Sequence, residues 1–157
     1  VLLRELAAQN PELVVIATRL AVDDLKDFLP PLSKTEEGRG GGDAANFLNC
    51  AVDGLRQAGH QEFITRGLLA SVELYRVTGA LEKAQKDLNE AFTIATRGGM
   101  RLHEADCHLE YARLYLASND KDKAQEHWAI AKRMVEEMGY HRRDREAEEL
   151  WNAIAAK

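Results

Sequence analysis

The chain has 157 residues, 45% of them hydrophobic and 30% charged, with a formal net charge of −5. That length suits one domain with a real core or a few stacked repeats, and the composition excludes disorder over the whole length. The acidic balance argues against bulk nucleic-acid binding, and no apolar run approaches the ~20 residues that span a bilayer.

In chain order, Leu2 to Ala8 is a short helix candidate, and Pro11 suits a helix start. Segment 12–29 reads two ways. Leu13, Ile16, Ala17, Leu20, Leu25, Phe28 and Leu29 form a helical stripe, whereas Leu13-Val14-Val15-Ile16 is a compact β-branched run like a buried strand. Helix is the expectation for residues 1–29, because a lone strand has no sheet to join in an otherwise helical chain. Pro30-Pro31 and the glycines from Gly38 to Gly42 make residues 30–42 a loop.

From residue 43 the reading is helical throughout. Segment 43–58 carries Ala44, Leu48 and Ala51 on one face, and segment 62–78 carries Ile64, Leu68, Val72 and Tyr75. Gly79 breaks the second, and segment 81–97 follows with Ala84, Leu88, Ala91 and Ala95 until Gly98-Gly99 stops it. Segments 102–118 and 121–138 repeat the pattern and end at Ser118-Asn119-Asp120 and at Gly139. A last helix over 143–156 places Ala147, Leu150, Trp151 and Ile154 inward and Arg145, Glu146, Glu148 and Glu149 outward, as a solenoid cap requires.

These segments repeat at a fixed spacing. Gly59, Gly99 and Gly139 stand 40 residues apart, Leu74 and Tyr75 match Leu114 and Tyr115, and Lys83-Ala84-Gln85 returns as Lys123-Ala124-Gln125. A period of this size marks a stacked repeat array, an architecture that serves as a binding surface.

The pairs resemble tetratricopeptide repeats. The family's positions fall on Leu68, Ser71, Val72, Tyr75, Gly79, Leu81, Ala84, Leu88 and Ala91, and then on His108, Tyr111, Ala112, Tyr115, Asn119, Lys121, Ala124, Trp128 and Ala131. His108, Asn119 and Lys121 depart from the pattern, the closing proline is missing, and the period of 40 exceeds the usual ~34. The resemblance covers residues 43–157. It implies an all-α fold of antiparallel helical hairpins stacked as a right-handed solenoid, with 143–156 as the capping helix.

A narrower resemblance joins the runs Gly98 to Glu110 and Gly139 to Asp144 to the repeat regions of bacterial STAND-type signalling NTPases, some of which carry NACHT or NB-ARC modules. Asn10 to Leu20, followed by Asp23-Asp24-Leu25, looks like the sensor segment of such an ATPase, with Arg19 as its phosphate-sensing arginine. No GxxxxGK[ST] motif and no Walker-B strand are present, so phosphoryl transfer has no site within this chain.

The resemblance also implies a concave face, lined by Arg66, Leu69, Glu73 and Arg76 and, one repeat on, by Asp106, Leu109, Arg113 and Leu116. Arg66 and Asp106, and Glu73 and Arg113, either pair with each other or form a mixed-charge groove for a protein or peptide. Arg142 and Arg143 read as an exposed anion contact or as a solvated helix start. His103 and Cys107 share a helix face, but two ligands without a partner pair make no zinc site, so no metal and no cofactor are expected. Tyr75, Tyr111, Tyr115, Trp128 and Trp151 are read as core. Cys50 and Cys107 are read as small buried hydrophobes in a reducing compartment, which places the chain in the cytoplasm.

The expectation is a non-catalytic module for protein–protein interaction or ligand sensing within a bacterial signalling ATPase. Two alternatives stand beside it: a fragment of an NTPase whose Walker motifs lie elsewhere, and a self-associating scaffold that forms homodimers. The opening Val1-Leu2-Leu3, without methionine, fits a piece of a longer protein.

Overall fold

Five tight turns spaced 20 residues apart divide the fold into helices. Gly59, Gly79, Gly99 and Gly139 all have positive φ, from 61° to 79°, and Asn119 takes the same conformation at φ 60°. Glycine adopts this left-handed region without penalty, and asparagine is among the side chains that tolerate it best. At the last four turns the residue after the left-handed one closes a Schellman motif. Ala80, Met100, Asp120 and Tyr140 donate their N–H to the carbonyls of Tyr75, Ala95, Tyr115 and Val135, at 2.8–2.9 Å.

The structure, a computed structural model, describes residues 40–156, which form six α-helices and one short 3-10 turn with no strand among the described residues. They are α1 (Gly40–Ala58), α2 (Gln61–Val77), α3 (Leu81–Arg97), α4 (Arg101–Ala117), α5 (Lys121–Met138), the 3-10 turn (His141–Arg143) and α6 (Asp144–Ala156). The expected helix over 1–29, the sensor reading of Arg19 and the loop up to residue 39 lie outside the described residues. None of the described helices is long and apolar enough to cross a membrane.

One boundary differs from expectation. Helix α1 begins at Gly40, so Gly40 to Gly42 belong to its first turn and not to the preceding loop. Glycine costs a helix about 1 kcal/mol relative to alanine, but it keeps its N–H and does not break the hydrogen-bond ladder as proline does.

Each helix packs on its neighbours in sequence, and helices two apart also meet: α2 touches α4, and α4 touches α6. Helix α4 therefore lies against α2, α3, α5 and α6. Small residues mark the close crossings, with Ala84, Ala91, Ala124 and Ala131 all fully buried. A Cβ on Gly67 would lie 2.8 Å from Leu55 Cδ1, so α1 and α2 approach where no side chain intervenes.

The main core joins α1 to α4 around Leu55, Leu68, Val72, Leu88 and Leu114; a second cluster seats α6 through Ala147, Leu150 and Ile154 against Leu109, Ala112 and Ala124. Burying a leucine or isoleucine in this way is worth about 1.5–3 kcal/mol. Trp128 Nε1 donates to the Ala147 carbonyl at 2.7 Å and so ties α5 to α6. Two core expectations change. Trp151 stacks on Trp128 with ring centroids 4.4 Å apart yet stays 39% exposed, because no further described helix covers that side of α6. Cys107 is buried as expected, whereas Cys50 is only half-buried.

Candidate functional site: a mixed-charge groove

One face of α2 carries Glu62, Arg66, Leu69, Glu73 and Arg76 at alternating spacings of four and three residues, which keeps them on one stripe. The matching stripe of α4 carries His103, Asp106, Leu109, Glu110 and Arg113. The contact between α2 and α4 sets these stripes side by side, and the 3-10 turn with the start of α6 closes the third wall through Tyr140, Arg142, Arg143, Glu146 and Glu149. Together they enclose a groove of about 680 Å³.

Its floor is a continuous chain of opposite charges. Arg76 Nε lies 3.6 Å from Glu110 Oε2, and Glu110 also contacts Arg113. Arg113 reaches Glu146 at 3.8 Å, Glu146 meets Arg143 at 2.5 Å, and Arg143 Nε donates to Asp106 Oδ1 at 2.7 Å. Asp106 and Glu62 each lie 3.9 Å from His103. Six charged side chains from α2, α4, the 3-10 turn and α6 thus form one alternating network, with the His103 ring and Glu62 beside its Asp106 end.

Burial and pairing compete at these groups. Burial works against the Asp106 carboxylate, but the neighbouring His103 ring and the Arg143 guanidinium outweigh it and hold its pKa below the usual value. At 3.9 Å the His103 contact is too long for a hydrogen bond, so Arg143 is the defining partner. Burial likewise disfavours the Arg143 charge, and Asp106 and Glu146 more than compensate, raising its pKa. Arg113 is raised in the same way against its burial, chiefly by Glu110 and Glu146. Three buried polar atoms of the lining make no hydrogen bond: Arg76 Nε, Glu110 Oε2 and His103 Nδ1.

Seven of the eight concave-face residues expected from the sequence line this groove: Arg66, Leu69, Glu73, Arg76, Asp106, Leu109 and Arg113. Leu109, 1% exposed, is part of the floor and too deep to be touched. Leu116 is not in its lining but in an adjoining, shallower depression with Leu150 and Ala153, which shares Arg76, Arg113, Glu146 and Glu149 with the groove. Asp106 takes Arg143 as its partner and Arg113 takes Glu110 and Glu146, so neither uses the pairing between neighbouring repeats considered from the sequence.

Arg142 and Arg143 do not form an exposed basic pair. Arg142 is exposed at the groove, while the Arg143 side chain is 12% exposed and held between two carboxylates. Glu146 and Glu149 also turn toward the groove and not to the outer face of the last helix. Glu146 stands four residues before the buried Leu150 on the same side of α6, at the border of its packed face. Glu110 was missed as well, although its i+4 relation to Asp106 and i−3 relation to Arg113 put it on the same stripe.

The His103–Cys107 pair separates. His103 lines the groove, whereas Cys107 points into the main core, where burial pushes its thiol pKa up and leaves it inert. No group of three histidine, cysteine or acidic side chains among the described residues is placed to hold a metal ion.

A second polar cluster joins α4 to α5. His108 Nδ1 and His127 Nδ1 are 2.9 Å apart, so one ring donates and the other accepts, which requires a neutral acceptor ring. The rings of Tyr111 and Tyr115 stack on His127, and Phe92 meets His108 edge-on. Burial, aided by the nearby His127, pushes the His108 pKa down to about 4, and burial lowers that of His127 as well.

Comparison with protein-family models, with curated proteins and with solved structures finds no match to the chain.

Proposed function

We propose that the chain is a non-catalytic interaction module of the tetratricopeptide-repeat type, a right-handed stack of helical hairpins capped by α6, whose concave groove receives a protein or peptide partner. The observation that carries this reading is the groove itself: seven residues picked by repeat register line one cavity. Equivalent burial one period apart supports the stacked arrangement, with Leu74 and Leu114, Ala84 and Ala124, and Ala91 and Ala131 all in the core. The floor charges neutralise one another, which holds the groove's shape and leaves partner choice to the rim.

The same reading places the module in the cytoplasm, as part of a bacterial signalling ATPase. A Walker A motif elsewhere in the full reading frame is expected, and its absence there would sink the ATPase assignment while leaving the interaction reading intact. The groove is tested by selecting peptides from a random display library on the chain and measuring each against Leu69→Arg, which places a bulky charge in the groove. Selected peptides should lose binding to Leu69→Arg. Undiminished binding would put the partner surface somewhere else.

A further inference from the structure

Helices α2, α4 and α6 keep a common register at 40-residue spacing. Gly67, Cys107 and Ala147 are all buried, and so are Leu74, Leu114 and Ile154. The adjoining stripe differs on the last helix. Leu68, Ser71, Val72 and Tyr75 of α2 are 6% exposed or less, and His108, Tyr111, Ala112 and Tyr115 of α4 are buried or half-buried. Their equivalents on α6, Glu148, Trp151, Asn152 and Ala155, are all exposed.

The helix that follows each of the first two covers its stripe. Lys83 of α3 lies over the Tyr75 ring at 5.6 Å, and Lys123 of α5 lies over the Tyr115 ring, one period on, at 5.2 Å. His127 of α5 stacks on Tyr111 and Tyr115 and meets His108. On their other side α3 and α5 reach the next helix at equivalent residues. Leu88 clusters with Cys107 and Tyr111, while Trp128 bonds to the Ala147 carbonyl and stacks on Trp151. Helix α6 therefore stands to α5 as α4 stands to α3, and the stripe through Trp151 and Ala155 matches the surfaces on which α3 and α5 lie. Both of those helices carry alanines seven residues apart, Ala84 and Ala91 or Ala124 and Ala131, which permit close approach. All four alanines are fully buried in the chain's own fold, so a second copy has neither helix to offer. Glu148 takes the position of His108 and, among the described residues, makes no ion pair.

We propose, resting on the stacked-repeat part of the interaction reading above, that this face of α6 docks an amphipathic helix of a partner protein. That helix carries two small residues seven apart and a basic residue three after the first. The basic residue meets Glu148 as His127 meets His108, and the small residues let the helix close on Trp151 and Ala155.

The test uses a fluorescein-labelled synthetic peptide with the sequence of α5, residues 121–138, carrying His127→Lys, read by fluorescence anisotropy on the intact chain. Saturable binding is expected. Trp151→Lys and Ala155→Arg in the chain should each weaken it by about tenfold or more, as loss of an anchoring contact does. Glu148→Lys should weaken it too, and His127→Glu in the peptide should restore binding to that variant. Ala124→Leu/Ala131→Leu in the peptide should abolish binding, and Leu69→Arg, in the groove, should leave it unchanged. The three α6 positions are exposed, and matching melting curves verify that each variant folds. If the peptide does not bind, or binds Trp151→Lys and Ala155→Arg undiminished, the inference falls, while the groove reading stands or falls by its own peptides on Leu69→Arg. A wild-type dimer that Trp151→Lys dissociates would make a second copy the occupant and overturn the partner helix. Binding to residues 1–157 that is lost in the full reading frame would assign the face to the chain's own continuation, which also overturns it.

Discussion

Arg143 carries more of the groove than any other single side chain. It donates to Asp106 on α4, meets Glu146 on α6 and covers the Tyr140 ring at 5.9 Å. Arg143→Ala leaves Asp106, 8% exposed, as a buried carboxylate without its partner. Breaking a buried pair from one side costs about 3–5 kcal/mol, so a large drop in urea midpoint is expected. Asp106→Leu/Arg143→Met should recover most of it, since the pair is then replaced by packing. The pH dependence has a definite sign. The folded pKa of Asp106 is depressed, so its contribution is fully present above the unfolded value of about 3.9 and is lost as pH falls through the folded pKa. Wild type should therefore lose stability more steeply than Asp106→Asn below about pH 4. Asn119 offers an independent residue-scale check. It stands where the four other turns have glycine. Asn119→Gly should hold or raise the melting temperature, and Asn119→Ala should cost about 1 kcal/mol because alanine gains nothing from the left-handed conformation.

Between elements, the paired histidines add a polar contact to an α4–α5 joint otherwise packed by apolar side chains. Both have folded pKa values below the ordinary value of about 6.5, with His108 near 4, so the unfolded chain binds more protons across that interval. Their stabilisation is complete above about pH 6.5 and declines as pH falls toward the folded values. The charged groups around them are few. Glu126 on α5 favours a charged His127, and Phe92, Tyr111 and Tyr115 add no charge at these pH values. Urea midpoints measured at pH 7 and pH 5 should fall in wild type and change much less in His108→Phe/His127→Phe. An equal fall in both would assign the acid sensitivity to other groups. The helices themselves were largely legible in the sequence. Apolar residues at helical spacing and left-handed glycines are local signals, and they set α3 and α5 at their full expected extents and α2 and α4 within one residue. The groove's third wall was not legible, because the way the 3-10 turn and α6 lie against α4 is a tertiary contact that no local spacing carries. That contact brings Arg143 to Asp106 and Glu146 to Arg113, while Trp151 stays exposed where no further described helix covers α6. Glu110 was within reach, since its spacing alone ties it to Asp106 and Arg113.

Across the whole molecule, two kinds of cohesion run along different lines. Apolar packing centres on α4, which lies against α2, α3, α5 and α6, while the charge network ties the 3-10 turn and α6 to α2 and α4 from one side. Stability is then uneven, as in arrays built from neighbour contacts. Hydrogen exchange should be slowest in α2 from Ile64 to Tyr75, where buried residues are densest, and in α4 around Cys107 to Leu114, and fastest in the glycine-rich first turn of α1 and at the end of α6. Arg143→Ala separates the two kinds of cohesion. If α6 and the 3-10 turn form an element held in place mainly by that arginine, exchange rises there first, and α2 and α3 keep nearly their wild-type protection. A uniform rise across all six helices would instead show a single cooperative unit, and the groove could not then open by releasing its third wall alone.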